Sequence, residues 1–120
     1  MPSIAVIGAS NDRDKYGNRA VRAYQAQGWT VYPVNPKEPV IEGIPAYKTI
    51  ADVPQPVDRA SLYVPPSVGI ELLGAISAHR VKELWVNPGS GSPELLERAE
   101  QLGLHTVEAC SIVAAARTPP

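Results

Sequence analysis

Short apolar segments alternate along this chain with segments of helical periodicity, and this alternation constrains the fold more than any other feature. A short continuous apolar run that stops at glycine, asparagine or proline is typical of a strand buried on both faces of a parallel sheet. Five segments of this kind predict five strands, over residues 4–7, 29–34, 59–64, 84–86 and 104–107.

Between these strands, apolar residues recur at three- and four-residue spacing, which predicts helices. The first predicted helix carries Tyr24 on its apolar face and ends before Gly28, where a capping glycine belongs. The second spans residues 67–79, and the third begins at Ser92, a capping residue followed by proline at the first helical position. Two shorter helical segments are also predicted, over residues 49–52 and 112–116.

Strands that alternate with helices form parallel sheets joined by right-handed crossovers. We therefore predict an α/β fold of the Rossmann-like, doubly wound type, with a parallel five-stranded sheet and helices on both faces. The length of 120 residues suits one domain over residues 1–120, with room for one core but not for a separate substrate domain.

Composition excludes several classes of protein. Eleven basic and twelve acidic residues give a net charge of −1, without the basic excess typical of nucleic-acid binders. No apolar run approaches the ~20 residues of a membrane span, and the first residues lack the basic flank and cleavage site of a signal peptide. One cysteine and two histidines are too few for a structural zinc site, so no metal and a reducing, cytoplasmic location are predicted.

In open parallel sheets, ligands bind outside the carboxyl ends of the strands. Four predicted loops meet at that edge, and all are dense in glycine, proline, asparagine and serine: 8–18, 35–37, 63–66 and 87–91. Glycine lets the backbone approach a phosphate closely, and a helix that follows such a loop presents free N–H groups. This edge is therefore the candidate ligand site.

The first loop departs from both common phosphate-binding fingerprints. Gly8 is present, but Ser10 and Arg13 stand where the dinucleotide motif has further glycines, and no Gly-Lys-Ser/Thr follows. The Ser10 hydroxyl could donate to a phosphate oxygen, and Lys15 and Arg13 could add positive charge. The alternative interpretation is an ordinary polar surface turn.

The end of the second strand discriminates among nucleotides. NAD-binding domains place an acid there to accept the ribose hydroxyls, whereas this chain has Asn35, Pro36 and Lys37. A lysine attracts a phosphorylated ribose, so coenzyme A and NADP fit better than NAD. A solvated loop lysine is the alternative, and the neighbouring Glu38 weakens the positive charge.

These motifs together resemble the CoA-binding domain family, small Rossmann-like proteins similar to the nucleotide-binding domain of the succinyl-CoA synthetase α subunit. The matching segments occur in family order and span nearly the whole chain: 6–10, 15–18, 31–37, 63–66, 87–89 and Cys110. The resemblance implies coenzyme A or an acyl-CoA as the bound cofactor.

The resemblance also implies a role for each matched loop. The phosphate-binding turn would consist of Gly8, Ala9, Ser10 and Asn11. Lys15 and Tyr16 would close over the ligand, and Lys37 would meet the ribose phosphate.

Two later loops would hold the rest of the cofactor. The adenine or its ribose would be flanked by Val64, Pro65 and Pro66. The path toward the pantetheine arm would be lined by Asn87, Pro88 and Gly89.

The expected function is a binding, sensing or carrier module without evident catalysis, because no Ser-His-Asp set, acid pair or metal cluster is visible. The synthetase subunit also carries a phosphorylated histidine in a second domain, and neither His79 nor His105 lies in a matching motif. Two alternatives stay open: an NADP-binding oxidoreductase-like domain, and an interaction subunit that has lost its ligand. A protein partner or a homodimer is compatible with each.

Three remaining side chains have simpler interpretations. His79 is expected to cap a helix or face solvent, and His105 is expected to be a structural residue of the fifth strand. Cys110 follows that strand near the ligand edge, where a thiolate could exchange with the thiol of coenzyme A. The alternative is a buried, inert cysteine.

Overall fold

The computed structural model describes residues 2–117, so Met1 and residues 118–120, the two ends of the predicted domain, lie outside the described residues. In chain order the elements are β1 (Ser3–Ile7), α1 (Tyr16–Ala26), β2 (Thr30–Val34), β3 (Val40–Ile41), β4 (Ile44–Pro45), a 3-10 turn (Ile50–Asp52), β5 (Arg59–Leu62), α2 (Pro66–Ala78), β6 (Glu83–Val86), α3 (Pro93–Gln101), β7 (Thr106–Val107) and α4 (Ser111–Arg117).

The main sheet has five parallel strands in the order β2-β1-β5-β6-β7. Helices α1 and α4 pack together on one face, and α2 and α3 pack together on the other. This is the predicted Rossmann-like, doubly wound arrangement, and that prediction is confirmed. The chain moves from β1 outward to β2 and then back to β5, so the topological switch point lies between β1 and β5.

The apolar run of β1 is explained by burial on both faces. Ile4 and Val6 join the core beneath α1 and α4, whereas Ala5 and Ile7 join the core beneath α2 and α3. All four side chains are at most 4% exposed. Because successive side chains of a strand point to opposite faces, only a central strand buries both sets.

Helix ends follow the capping signals in the sequence. The Ser92 side chain accepts the N–H of Leu95 at 3.1 Å and caps α3, as predicted. Gly28 and Gly103 have φ values of +84° and +74°, the left-handed conformation that favours glycine after a helix. Within residues 2–117, no helix is both long and apolar enough to cross a membrane.

Two predicted strands are each two residues longer than the observed ones. The third ends at Leu62 rather than at residue 64, because two prolines begin α2 shortly afterwards. The fifth is reduced to Thr106–Val107, because this edge strand pairs only with two residues of β6. His105 therefore lies outside the strand and is exposed, so its placement in a strand was wrong.

His79 and the two tryptophans are buried. His79 occupies the C-cap of α2 as predicted, but at 7% exposure it does not face solvent. Trp29 precedes β2 rather than belonging to it, and its ring and that of Trp85 enclose the Arg59 guanidinium at 4.8 and 4.6 Å from the ring centroids. Arg59 also pairs with Glu83 at 3.2 Å, so this buried charge is compensated.

The β3–β4 hairpin lies in a segment for which the sequence predicts no strand. Its two-residue turn consists of Glu42 and Gly43, with φ values of +49° and +78°. Positive φ at both central positions is the geometry of a tight hairpin turn. Glutamate is unusual at the first turn position, where asparagine or aspartate before glycine is the usual sign of a hairpin. The turn was therefore not recognisable from the sequence.

Candidate functional site

Three connected pockets follow the carboxyl edge of the main sheet. We call the first the inner pocket; it has a volume of about 410 Å³ and lies between the ends of β1 and β2 and helix α2. Its apolar wall is formed by Ile7, Val34, Ile50, Val64, Val68 and Leu72. A flat apolar group such as a nucleobase suits such a wall.

The second pocket, which we call the central cleft, has a volume of about 390 Å³ and lies over the switch point. Its lining includes Gly8, Lys15, Tyr16, Tyr63, Val64, Pro65, Pro66, Pro88, Gly89 and Ser90. Gly8 and Val64 line the inner pocket as well, so the two spaces meet at the turn after β1.

The third pocket, which we call the outer cleft, has a volume of about 370 Å³ and lies beside the start of α3. Its lining includes Val86, Asn87, Pro88, Gly89, Gly91, Leu96, Glu108 and Ala109. Pro88 and Gly89 are shared with the central cleft. The three pockets thus adjoin one another along the sheet edge in the order inner pocket, central cleft and outer cleft.

The turn after β1 requires glycine for close approach. Gly8 has a φ of +93°, and a Cβ there would overlap the carbonyl group of Tyr63. A Cβ at Gly17, in the first turn of α1, would overlap the carbonyl group of Gly8. The lack of a side chain at Gly8 lets the turn lie against Tyr63, and the lack of one at Gly17 lets the start of α1 lie against the turn.

The start of α1 is suited to an anion. The first N–H groups of a helix lack internal partners and carry the positive end of its dipole. Lys15, the N-cap residue, provides no side-chain cap, and the first turn contains no acidic residue. Lys15, Tyr16 and Gly17 all line the central cleft, so these donors border an open space.

Asn35 joins the loops that follow β1 and β2. Its amide nitrogen donates to the carbonyl oxygen of Ala9 at 2.8 Å. Its amide oxygen accepts the N–H groups of Lys37 and Glu38 at 2.7 and 3.0 Å. The side chain therefore shapes the loop that carries Lys37.

The β3–β4 hairpin supports the first loop from outside. Asn11 donates to the Glu38 carboxylate at 2.9 Å and to the Val40 carbonyl at 3.0 Å. The buried Asn18 donates to the Glu42 carboxylate at 3.1 Å. Asn11 is thus directed toward the hairpin, and it holds the carboxylate of Glu38.

Two lysines belong to the segments that surround the inner pocket. Lys37 is exposed beside Pro36, and Lys48 lines the pocket from the opposite loop. Neither lysine forms an ion pair with any residue in the described range 2–117. Lys48 is not among the residues predicted from the sequence, because its position depends on a bridge between Tyr47 and Val34 at the end of β2.

Asn87 belongs to a buried hydrogen-bond network. Its amide nitrogen donates to the Ser61 hydroxyl and the Leu62 carbonyl, both at 2.8 Å, and its amide oxygen accepts the N–H of Ser111 at 2.8 Å. The Ser111 hydroxyl lies 2.8 Å from that of Tyr63, whose pKa is raised to about 12 by burial. The Asn87 side chain thus ties three segments together.

The structure brings most of the predicted residues to one edge of the sheet. The inner pocket or the central cleft is lined by Gly8, Lys15, Tyr16, Asn35, Val64, Pro65, Pro66, Pro88 and Gly89. The predicted residues that line neither of these two spaces are Ala9, Ser10, Asn11, Lys37 and Asn87. The Ser10 oxygen accepts the N–H of Asp12 at 3.0 Å, and Cys110 is partly exposed beside the outer cleft.

Comparison with known families identifies this arrangement. The family model described as the CoA binding domain matches residues 2–116. The chain belongs to the CoA binding domain family. The resemblance drawn from the loop motifs is therefore confirmed.

Several curated relatives of this CoA binding domain are ADP-forming acetate–CoA ligases. The chain is similar to the α subunit of ligase II from Pyrococcus furiosus, with 46% identity over 52% of the chain and 14% of the relative. It is similar to ligase I from Archaeoglobus fulgidus, with 32% identity over 87% of the chain and 17% of the relative. The chain thus spans less than a fifth of the length of these relatives.

A solved structure supports the fold over nearly all of both chains. A conserved hypothetical protein from Pyrococcus furiosus matches with a TM-score of 0.87 and 33% identity, covering 94% of this chain and 98% of that one. The fold of this chain therefore accounts for nearly all of that structure as well.

Proposed function

We propose that the protein binds coenzyme A or an acyl-CoA along the three connected pockets. The adenine would occupy the inner pocket, the diphosphate would lie at the turn after β1, and the pantetheine arm would follow the central cleft. The observation that carries the proposal is that Gly8 lines both spaces, beside the uncapped start of α1. A ligand with an apolar base, a central diphosphate and a long arm fits this order of environments.

The cations beside the inner pocket favour a phosphorylated ribose. Lys48 lines the inner pocket, and Lys37 directly follows Pro36, another of its lining residues. Both lysines would then lie near the ribose of the bound cofactor. Glu38, the nearest acid in sequence, is held by Asn11. The two lysines can therefore approach a 3′-phosphate without an ion pair being broken first.

The role of the protein is proposed to be binding rather than chemistry. Among residues 2–117, no group of three or more His, Cys, Asp or Glu side chains could hold a metal ion. The titratable side chains lining the central cleft are Lys15, Tyr16 and Tyr63. Lys15 and Tyr16 suit contact with an anion, and the Tyr63 hydroxyl is engaged by Ser111.

The test is a titration calorimetry series with coenzyme A, dephospho-CoA, NADP and NAD at equal concentrations. We expect coenzyme A to bind tightest, dephospho-CoA more weakly and NAD least. A preference for NADP would replace the proposal with an oxidoreductase-like function. Failure of all four to bind would favour an interaction protein.

A further inference from the structure

The outer cleft extends the ligand edge beyond the central cleft. Pro88 and Gly89 belong to both spaces, so a chain that follows the central cleft away from the inner pocket enters the outer cleft. We propose that the outer cleft receives the acyl group of an acyl-CoA and favours aliphatic groups without a terminal carboxylate. This inference rests on the proposed function, because it assigns the space beyond the pantetheine arm.

The walls of the outer cleft are suited to an apolar chain. Val86 and Leu96 contribute aliphatic side chains, and Gly91 leaves the space beside Val86 open, since a Cβ there would lie 3.0 Å from the Val86 Cγ1 atom. Asn87 uses all its amide groups inside the protein, and the Ser92 oxygen accepts the N–H of Leu95. These two side chains therefore direct their polar atoms away from a guest.

Glu108 is the one charged residue among the described residues that line the outer cleft. Glu108 is exposed at the rim, and its carboxylate forms no ion pair with any residue between 2 and 117. An acyl chain that ends in its own carboxylate would bring two negative charges together. The uncompensated Glu108 therefore opposes dicarboxylic acyl groups and leaves neutral ones unaffected.

The expected preferences follow from burial and charge. A fully buried methylene strengthens binding by about fourfold, and because the cleft is open on one side we expect about twofold per methylene. Butyryl-CoA should then bind about fourfold tighter than acetyl-CoA. Succinyl-CoA has a four-carbon acyl group like butyryl-CoA. The difference in affinity between these two ligands therefore measures the effect of the terminal carboxylate.

The experiment measures the dissociation constants of CoA, acetyl-CoA, butyryl-CoA and succinyl-CoA by calorimetry at low ionic strength. Ala109→Trp fills the outer cleft from its exposed rim, and it should abolish the preference for butyryl-CoA over CoA. Ala116→Trp, an exposed alanine of α4 outside the cleft, is the matched control and should retain the preference. Glu108→Gln should narrow the gap between succinyl-CoA and butyryl-CoA by about two- to fivefold.

The outcomes separate this inference from the proposed function. If CoA binds but all four ligands bind equally in the wild-type protein, the acyl compartment is overturned and the proposed function stands. Equal affinity for succinyl-CoA and butyryl-CoA would overturn the charge selection. If CoA itself does not bind, both proposals fail.

Discussion

The side-chain amide of Asn35 donates a 2.8 Å hydrogen bond to the carbonyl oxygen of Ala9, and so joins the loop after β2 to the turn after β1. The same amide oxygen accepts the N–H of Lys37. One side chain thus sets the distance between the turn proposed for the diphosphate and the lysine proposed for the ribose phosphate. The two loops act as one preorganised surface.

Replacing Asn35 should weaken binding and stability together. In Asn35→Ala the donor to Ala9 and the acceptor for Lys37 are lost, and we expect a loss of about 1–2 kcal/mol in the free energy of unfolding. The affinity for CoA should fall, because the loops lose their fixed spacing. Urea denaturation and calorimetry measure the two effects.

Asn35→Asp is the matched control for this bond. It keeps the acceptor for Lys37 and loses the donor to Ala9, so it tests the link between the loops separately. An unchanged CoA affinity in both variants would contradict the proposed role of Asn35.

Lys37 and Lys48 are expected to contact the ribose phosphate of bound CoA. Lys37→Ala and Lys48→Ala should each weaken CoA binding by roughly two- to fivefold at low salt, as expected for exposed ion pairs. Binding of dephospho-CoA should be unchanged, because its ribose lacks the phosphate. Lys82→Ala, which removes an exposed lysine before β6 at the opposite edge, is the control. Equal losses of affinity for CoA and dephospho-CoA would show that the lysines do not contact this phosphate.

The contact between α1 and the turn after β1 is tested at Gly17. A Cβ in Gly17→Ala would overlap the Gly8 carbonyl, so the helix start must move away from the turn. We expect weaker CoA binding and a lower free energy of unfolding.

Gly74→Ala is the matched control for this contact. Gly74 lies inside α2, and a Cβ there meets no atom within 4 Å. This variant should be more stable than wild type by about 0.5–1 kcal/mol, because alanine favours helix. If Gly17→Ala is as stable as Gly74→Ala and binds CoA as well, the close approach of Gly17 to the Gly8 carbonyl is not required.

The stability of the protein should fall at high pH through Tyr63. Burial raises the pKa of Tyr63 from 10.0 to about 12, while the hydrogen bond between Tyr63 and Ser111 offsets part of the shift. Since the folded pKa exceeds the unfolded one, the stabilisation is complete below pH 10 and is lost as the pH rises toward 12. We expect a fall on the order of 2 kcal/mol in the free energy of unfolding over this window.

Tyr63→Phe removes this titration and should flatten the pH dependence. Burial also raises the pKa of Tyr24, so part of the slope should remain. Tyr16→Phe, at an exposed tyrosine, is the control and should keep the wild-type slope. Urea denaturation between pH 9 and about 11.5 makes the comparison, and an unchanged slope in Tyr63→Phe would contradict it.

The sequence predicted the sheet and helices because their signals are local. The apolar run from Ile4 to Ile7 predicts a buried strand, and Ser92 predicts a helix start, each from a few neighbouring residues. Strand ends were less accurate, because the length of β7 is set by its partner β6 rather than by its own residues.

Features that depend on distant contacts were missed. Lys48 reaches the inner pocket only because Tyr47 pairs with Val34. The hairpin turn uses Glu42 in a conformation that usually requires glycine or asparagine. Likewise, nothing local in the sequence shows that the Asn87 side chain turns inward to meet Ser111.

Ser111 connects the last described helix to the rest of the molecule through every polar group it owns. Its N–H bonds to Asn87, its hydroxyl lies 2.7 Å from that of Ser61, and its carbonyl accepts the Tyr24 hydroxyl at 2.7 Å. A helix of only seven residues would ordinarily fray and exchange its amide hydrogens quickly. Here the first turn of α4 cannot open without breaking bonds to β5, α1 and the loop after β6, so the amide proton of Ser111 should exchange as slowly as those of the central strands.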